Sequence, residues 1–392
     1  MKTGWQTTTL GAVAQIGAGN SAPQKDELFT DGTHPFFRTS DAGRVRFGDM
    51  FESSDYLNDE GIKGLRSFPK GTILFPKSGA STFLNHRVML GVEGFVSSHL
   101  ATVVGDEEKV DRRFLLYFLT TVEAQDLIQD HAYPSLNLPA IAGIPVHLPS
   151  LPEQQRIVGI LDEAFDGIAT AKANAEKNLQ NARALFESHL QSVFTQRGEG
   201  WVEKKLSDVC AITSTLVDPR KAEFRDLTHV GAGNIESQTG VFDELKTARE
   251  EGLISGKFLF DESMVLYSKI RPYLMKVARP NFNGLCSADM YPLAPLPNEI
   301  TRDYLFHLLL SKPFTDYAIQ GSARAGMPKV NREHLFEFRV WLPNVKKQTE
   351  LAKNLDALHE ETQRLESLYQ RKLTALDEMK KSLLHQAFSG AL

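Results

Sequence analysis

The sequence repeats itself at long range, and this feature limits the folds open to the chain more than any other. LPSLPEQQRIVGILD at 148–162 and LPNVKKQTELAKNLD at 342–356 share five residue pairs at an offset of 194, namely Leu148/Leu342, Pro149/Pro343, Gln154/Gln348, Leu161/Leu355 and Asp162/Asp356. GTILFPKS at 71–78 resembles SMVLYSKI at 263–270 at an offset of 192. A solenoid would repeat at a far shorter period, and a drifting offset indicates small insertions between diverged copies. The sequence therefore predicts a tandem duplication of one large unit.

Each copy begins with a region that is rich in Gly, Pro, Ser and short β-prone runs. Strands are predicted at 71–75, 100–104 and 144–148, and again at 264–268 and 338–342. RRFLLYFLTTVEAQDLIQ and RDYLFHLLLSKPFTDYAIQ predict helices at matching places in the two copies. We therefore predict an α+β fold class, with two globules of a normal domain size at 1–151 and 198–344.

Each copy ends in a long stretch with helical periodicity, at 152–197 and 345–392. Apolar residues follow a heptad step in both stretches. They are Ile157, Leu161, Ala164, Ile168, Ala171, Ala175, Leu179, Ala182, Phe186, Leu190 and Val193, then Leu351, Leu355, Leu358, Leu365, Tyr369, Leu373, Leu376 and Leu383, with Thr362 on the same stripe. A helix that is apolar on one stripe needs a partner along its length. We predict that the two helices pair as an antiparallel coiled coil with pseudo-two-fold symmetry, and that Leu392 returns near Met1; packing of each helix on its own globule is the alternative.

The junctions between globule and helix carry helix-start signals. Ser150 and Asn344 are predicted N-cap residues, and Glu153 completes a capping box at the first junction. Lys347 replaces that Glu at the second junction, so its helix start is predicted to be less well capped.

Composition places the chain among ordinary globular proteins, with 42% hydrophobic and 24% charged residues. No apolar stretch reaches the roughly 18 to 20 residues of a membrane span, and MKTGWQTTTL lacks the apolar core of a secretory signal. Cys210 and Cys286 show no metal-like spacing and are predicted to be free thiols. We therefore expect a cytoplasmic protein that contacts no membrane.

The sequence shows no catalytic or cofactor-binding motif. The phosphate-loop and nucleophile-elbow patterns are absent, and the 11 histidines form no metal-binding cluster. GAGN at 17–20 and at 231–234 is an incomplete glycine motif, and its two occurrences do not align in the repeat, so turns explain them better. We predict no cofactor and no metal.

Basic residues with interleaved aromatic or polar residues are the candidate binding residues. Such loops suit phosphate contacts and base-edge readout, with Arg for guanine and Asn for adenine. In the second copy they are Lys269, Arg271, Tyr273, Lys276, Arg324, Lys329 and Asn331. In the first copy they are Arg38, Ser40, Arg44, Arg46, Lys77, Ser78, Arg87, Tyr133 and Asn137. Solvated loops whose charges balance acids elsewhere are the alternative.

The net charge of each segment bears on the hypothesis that the basic loops bind a nucleic acid. Residues 1–151, 152–197, 198–344 and 345–392 have net charges of −4, −1, −1 and +1. No segment is strongly basic, so binding to a polyanion would depend on one-sided charge or on partners that add positive charge.

The ordered set of motifs resembles the specificity subunit of type I restriction-modification systems. LPSLPEQQRIVGIL matches the family's domain-to-helix junction closely and LPNVKKQTELAKNL matches it loosely, with Lys346 and Lys347 as departures. GTILFPKSG and SMVLYSKIRPYL also look like parts of the family's target-recognition domains. The resemblance covers essentially the whole chain.

This resemblance implies a non-enzymatic, sequence-specific DNA-recognition subunit. Each globule would read one half of a bipartite, asymmetric double-stranded DNA target, and the helices would set the gap between the halves. Two modification (adenine methyltransferase) subunits would dock on the chain, and restriction (endonuclease and translocase) subunits would join them. A coiled-coil scaffold that binds protein but not DNA is the main alternative, and an enzyme with a site split between the globules is a third.

Overall fold

The computed structural model describes residues 4–128, 134–322 and 327–392. The chain divides into two compact units, and each unit contains segments from both long helices. Unit 1 comprises 1–174 and 372–392, and unit 2 comprises 175–371.

The globule of unit 1 is an α+β structure with a five-stranded sheet at its centre. Its strands are β1 Gln6–Thr9, β2 Ala14–Ala18, β3 His34–Phe37, β4 Phe47–Met50, β5 Asp55–Leu57, β6 Ile73–Pro76, β7 Arg87–Leu90, β8 Phe95–Val96, β9 Leu100–Gly105 and β10 Pro145–Leu148. Its short helices are α1 Leu10–Val13, α2 Thr39–Val45, α3 Arg112–Thr120 and α4 Leu138–Ala142. The sheets have the orders β2-β9-β6-β7-β4, β5-β3-β8 and β1-β10.

The globule of unit 2 has the same plan. Its strands are β11 Val202–Lys205, β12 Cys210–Ala211, β13 Leu216–Val217, β14 Thr228–Val230, β15 Lys246–Thr247, β16 Lys257–Phe260, β17 Val265–Ser268, β18 Val277–Ala278, β19 Gly284–Cys286, β20 Met290–Pro295 and β21 Arg339–Leu342. The sheet β12-β20-β17-β18 corresponds to β2-β9-β6-β7, and the pair β11-β21 corresponds to β1-β10. Ile73 lies opposite Val103 and Val265 lies opposite Leu293, so the drifting offset recurs in the strand register. The predicted α+β duplication is confirmed.

The helix predicted over RDYLFHLLLSKPFTDYAIQ is in fact two helices. They are α6 Arg302–Leu310 and α7 Lys312–Gln320, and α8 Arg332–Glu337 comes next in the chain. The break falls at Ser311, whose hydroxyl accepts a hydrogen bond from the Phe314 amide and so caps α7. Pro313 cannot donate a backbone hydrogen bond, which suits it to the first turn of a new helix. A capping serine directly before Lys-Pro was the signal that the sequence offered.

Both long helices are continuous, and their residue ranges correspond at an offset of 194. Helix α5 is Leu151–Thr195 and helix α9 is Val345–Ser389. Every predicted stripe residue is buried or half-buried, and Ile157, Leu161 and Leu355 are fully buried. At the second junction the Asn344 side chain accepts a hydrogen bond from the Lys347 amide at 2.9 Å, which confirms that cap.

The helices pair antiparallel within each unit. In unit 1, Lys172 Nζ lies 2.7 Å from Asp377 Oδ1, and Ile157 shares a core with Ala387. In unit 2, Arg183 Nε lies 2.9 Å from Glu366 Oε2, and Phe186 lies against His359 with ring centroids 4.7 Å apart. Residue numbers rise along α5 as they fall along α9, as an antiparallel pair requires. Phe388 packs on Phe114 and Leu392 packs on the core of the first globule. Met1, near which the sequence predicted Leu392 to return, lies outside the described residues.

The repeated glutamine of the junction phrase joins helix to globule. Gln154 Oε1 accepts from the Asp111 amide at 2.8 Å, and Gln348 Oε1 accepts from the Thr301 amide at 2.9 Å. Asp111 and Thr301 are the N-caps of α3 and α6. The phrase therefore recurs because each copy uses it to lock its long helix to its globule.

Both cysteines are free and buried. Burial raises the pKa of the Cys210 and Cys286 thiols to about 12. Since the thiolate is the reactive form, we expect both thiols to react with a disulfide reagent only after the chain is denatured. Titration with and without guanidinium would measure this, and fast reaction of either thiol in the native protein would contradict the burial.

Candidate nucleic-acid interface

The basic loop predicted in the second copy lies against a second chain segment in unit 2. Loop B, residues 269–276, connects β17 to β18. The Arg271 amide donates to the Pro328 carbonyl at 2.9 Å, and the Val330 amide donates to the Lys269 carbonyl at 2.8 Å. The fold thus brings the backbone of Lys269 and Arg271 beside that of Lys329 and Asn331, although 60 residues separate Lys269 from Lys329 in the sequence.

Unit 1 builds the same arrangement with loop A, residues 77–86, which connects β6 to β7. The Gly79 amide donates to the Pro134 carbonyl at 2.9 Å, and the Leu136 amide donates to the Lys77 carbonyl at 2.8 Å. These bonds match those of loop B at offsets of 192 and 194. Lys77 and Ser78 therefore lie beside the segment that ends at Asn137, and loops A and B are equivalent parts of the repeat.

Two lysines of loop B bind backbone carbonyls of their own globule. Lys269 Nζ donates to the Ala288 carbonyl, and its side chain is only 12% exposed. Burial and the neighbouring Lys329 lower the pKa of Lys269. Lys276 Nζ donates to the Ala232 carbonyl at 2.6 Å. Both lysines hold the loop in shape and offer little free charge.

The exposed part of loop B is its tip. Arg271 and Tyr273 are exposed, and Met327 is exposed on the neighbouring segment. Across residues 4–128, 134–322 and 327–392, the Arg271 side chain has no hydrogen bond or ion pair. Lys329 Nζ lies 3.6 Å from Asp289 and keeps 43% of its side chain exposed. A cation, an aromatic ring and an apolar side chain are thus exposed on two hydrogen-bonded segments.

The two candidate asparagines are helix caps. Asn137 Oδ1 accepts from the Ala140 amide at 2.7 Å, and Asn331 Oδ1 accepts from the His334 amide at 2.7 Å. Their oxygens are therefore engaged, although both residues are exposed. They keep the same place in the repeat, at the start of α4 and of α8.

The arginines of the first copy differ in their surroundings. Arg38 pairs with Asp55, and Arg44 Nη2 lies 3.0 Å from Oδ1 of the buried Asp41. Arg46 is exposed at the end of α2, as Ser40 is near its start. Carboxylates of the same globule therefore neutralise Arg38 and Arg44, which weakens both as candidates for phosphate contacts.

Arg87 is a core residue, which corrects its prediction as a binding residue. It is 2% exposed, and its guanidinium donates to the carbonyls of Leu119 at 3.1 Å and Val122 at 3.0 Å. Burial lowers the pKa of Arg87 to about 10, against the opposing effect of Glu123. Its place at the head of the apolar run RVML was the sequence signal for burial. Tyr133 and Arg324 lie outside the described residues.

Each unit also has a cleft between its globule and its helix pair, which the sequence did not reveal. The unit 2 cleft has a volume of about 910 Å³ and the unit 1 cleft about 180 Å³. Seven lining positions match in the repeat, and they pair as Arg46/Gln238, Phe47/Thr239, Asn85/Met275, Thr120/Leu310, Phe165/His359, Lys380/Phe186 and Leu384/Leu190. The same cleft has thus been kept twice with different chemistry.

Lys380 lines the unit 1 cleft between two aromatic rings. Its Nζ lies 5.1 Å from the centre of the Phe47 ring and 4.9 Å from that of Phe165. Burial and the nearby Lys172 lower the pKa of Lys380. Phe186 occupies this position in unit 2, where the cleft is larger.

No group of three or more potential metal-ligand side chains occurs in the described ranges 4–128, 134–322 and 327–392. None of the helices within these ranges combines the length and the apolar character of a membrane span.

The chain is similar in sequence to specificity subunits of type I restriction enzymes. The chain is 25% identical over 424 aligned positions to the type I restriction enzyme EcoDI specificity subunit of Escherichia coli, covering 99% of this chain and 88% of that protein. It is 25% identical over 256 positions to the putative type I specificity subunit S.MpnORF507P of Mycoplasma pneumoniae, covering 64% and 65%.

Two solved structures share the fold. One, described under complex assembly and conformational transition of the type I R-M system, superposes with a TM-score of 0.76 at 16% identity, covering 100% of this chain and 99% of that one. The HsdS subunit from Thermoanaerobacter tengcongensis gives a TM-score of 0.65 at 16% identity, covering 100% and 98%. The family described as type I restriction modification DNA specificity domain matches residues 2–180 and again 198–374. The chain therefore belongs to the type I restriction-modification DNA specificity family and contains two copies of its domain.

Proposed function

We propose that this chain is the non-catalytic, sequence-specific DNA-recognition subunit of a type I restriction-modification complex. Each globule reads one half of a bipartite double-stranded DNA target through its loop A or loop B surface. The equivalence of these loops supports the proposal most strongly: one chain of a DNA-specificity family displays the same hydrogen-bonded loop twice.

The two half-sites are proposed to differ in sequence. Loop A contains Lys77, Ser78 and Gly79, whereas loop B has Lys269, Ile270 and Arg271 at these places. Base edges in the major groove are distinguished by the side chains that face them. One scaffold with two different sets of side chains is therefore suited to an asymmetric target.

The paired helices are proposed to set the unread gap between half-sites. They have no glycine or proline beyond Gly167, so the second part of α5 and all of α9 lack the usual causes of a kink. A stiff spacer of fixed length selects a fixed separation of half-sites.

Methylated-base sequencing of the host genome tests the proposed function. A strain with the intact chain should show adenine methylation at one bipartite motif with a constant gap, and deletion of this gene alone should abolish it. Retention of the same methylation after deletion would overturn the proposal and favour the scaffold alternative.

The proposed partners are two adenine methyltransferase subunits, joined by restriction subunits, acting in the cytoplasm. The net charge of −5 opposes strong DNA binding by the isolated chain, so the partners are proposed to add positive charge. We propose that each cleft binds one methyltransferase subunit, because the clefts, like these subunits, number two per chain.

Filling the larger, unit 2 cleft is expected to remove one methyltransferase subunit from the complex. Gln363 lines the unit 2 cleft, and a tryptophan there would occupy it. Asn354 is exposed nine positions away on α9, about 180° around the helix at ~100° per residue, so Asn354→Trp is a matched control. Mass measurement of the assembled complex should give one methyltransferase per Gln363→Trp chain and two per control chain. Two copies with both variants would contradict docking at this cleft.

A further inference from the structure

Loops A and B place different residues at one equivalent position. Gly79 and Arg271 each donate an amide hydrogen bond to the matching proline, Pro134 or Pro328, at 2.9 Å. Both residues have positive φ, at 77° and 48°. The backbone therefore turns in the unusual half of conformational space in both globules, with glycine in one and arginine in the other.

An arginine at this position is conformationally unfavourable. In the left-handed region the Cβ atom of a non-glycine residue crowds the backbone, and such residues cluster at functional sites. The Leu274 amide donates to the Arg271 carbonyl at 2.9 Å, and Pro272 is the next residue, so the loop holds this conformation. Glycine, which has no Cβ atom, adopts positive φ without this crowding. Arg271 thus presents a long cationic side chain where the equivalent residue of unit 1 has none.

We propose that Arg271 reads a guanine in the half-site bound by residues 198–344, and that the other half-site lacks this contact because Gly79 takes its place. This inference rests on the proposed function. Arginine donates two parallel hydrogen bonds to the O6 and N7 atoms of guanine, a pattern that no other base pair offers in the major groove.

The surroundings of Arg271 favour a contact with a base over a structural role within the globule. Arg38 and Arg44 of unit 1 are paired with Asp55 and Asp41, whereas Arg271 has no such partner within the described part of the chain. Tyr273, on the same loop, is 52% exposed, and Met327 is 54% exposed next to Pro328, whose carbonyl accepts from the Arg271 amide. Exposed apolar groups next to a guanidinium suit a groove, where they contact sugars and thymine methyl groups.

Arg271→Gly is the sharpest test because it introduces the residue that unit 1 has at this position. Glycine tolerates positive φ, so the variant should fold as well as the parent. With the methyltransferase subunits present, binding is measured on duplexes that vary each target base in turn. One G·C position should become degenerate, with binding of the parental target about 10- to 100-fold weaker. Positions in the other half-site should keep their preference. Arg271→Gln should move the same position from guanine toward adenine, because glutamine pairs with adenine.

Lys329→Ala is the matched control for a backbone contact. It should weaken all sequences alike and reduce the salt dependence, without relaxing any base. If Arg271→Gly behaves in that way, Arg271 contacts phosphate and the guanine assignment is wrong. Unchanged specificity would also overturn it. Failure of the parent complex to prefer any target would instead contradict the proposed function itself.

Discussion

Replacing Gln154 with leucine is expected to lower the free energy of unfolding by about 3 kcal/mol, although the residue touches neither loop A nor the cleft. Gln154 is fully buried and makes three hydrogen bonds. Its oxygen accepts from the Asp111 amide, and its nitrogen donates to the carbonyls of Lys109 at 3.1 Å and Pro149 at 2.9 Å. Leucine fills a similar volume but leaves one donor and two acceptors without partners. A buried polar group left unsatisfied costs about 1 to 3 kcal/mol, partly offset by the added apolar surface.

The neighbouring residue offers a matched control. Gln155 is exposed, so Gln155→Leu should change stability by no more than about 0.5 kcal/mol. Denaturant unfolding measures both variants, and hydrogen exchange at the Asp111 amide reports the local effect. That amide should lose protection in Gln154→Leu and keep it in Gln155→Leu. Equal stability of the two variants would show that the buried network contributes nothing.

The repeat makes a second version of this test available in unit 2. Gln348 is 1% exposed and bonds the Thr301 amide together with the carbonyls of Glu299 and Pro343. Gln348→Leu should therefore expose the Thr301 amide to exchange and leave that of Asp111 protected. Faster exchange of the Asp111 amide in Gln348→Leu would show that the two glutamines do not act each on its own globule.

The sequence predicted the duplication, the antiparallel helices and the loop segments, because these depend on periodic patterns and local turn chemistry. It could not predict the direction of individual side chains. Lys269 and Arg271 stand two residues apart in one basic stretch, yet Lys269 binds a backbone carbonyl and Arg271 has no side-chain partner among the described residues. That difference depends on the carbonyl of Ala288, which only the folded chain brings near.

The direction of a side chain, which the sequence could not predict, also explains the wrong prediction for Arg87 in unit 1. Arg87 looked like other arginines of the basic loops, but strand pairing places it inside, where carbonyls of Leu119 and Val122 accept its protons. The clefts were also invisible, since their walls come from segments far apart in the sequence. Contacts made across long sequence separations need the tertiary structure.

Removing one heptad from each long helix is expected to shorten the preferred gap between half-sites. Lys172 pairs with Asp377 in unit 1, and Arg183 pairs with Glu366 in unit 2. Both pairs have residue numbers that sum to 549. Deleting 174–180 together with 369–375 keeps this register, because the ends of the two deletions also sum to 549. Seven residues at ~1.5 Å each remove about 10 Å, or up to about three base pairs of B-DNA.

The orientation of the chain beyond each deletion is nearly kept, since seven residues turn an ideal helix about 20° short of two full turns. The paired deletion therefore changes the length of the two helices more than the rotation of the residues that follow it. Binding of the assembled complex to a library of targets with gaps of every length measures the result, and the optimum should move to shorter gaps while both half-site sequences stay the same.

Deleting 174–180 alone is the control that separates length from register. The two ion pairs could then no longer form together, because α5 would be seven residues out of step with α9. This variant should lose stability and bind poorly at every gap, whereas the paired deletion should bind well at a new one. An optimum that stays at the parental gap in the paired deletion would show that the helices hold the chain together without measuring the target.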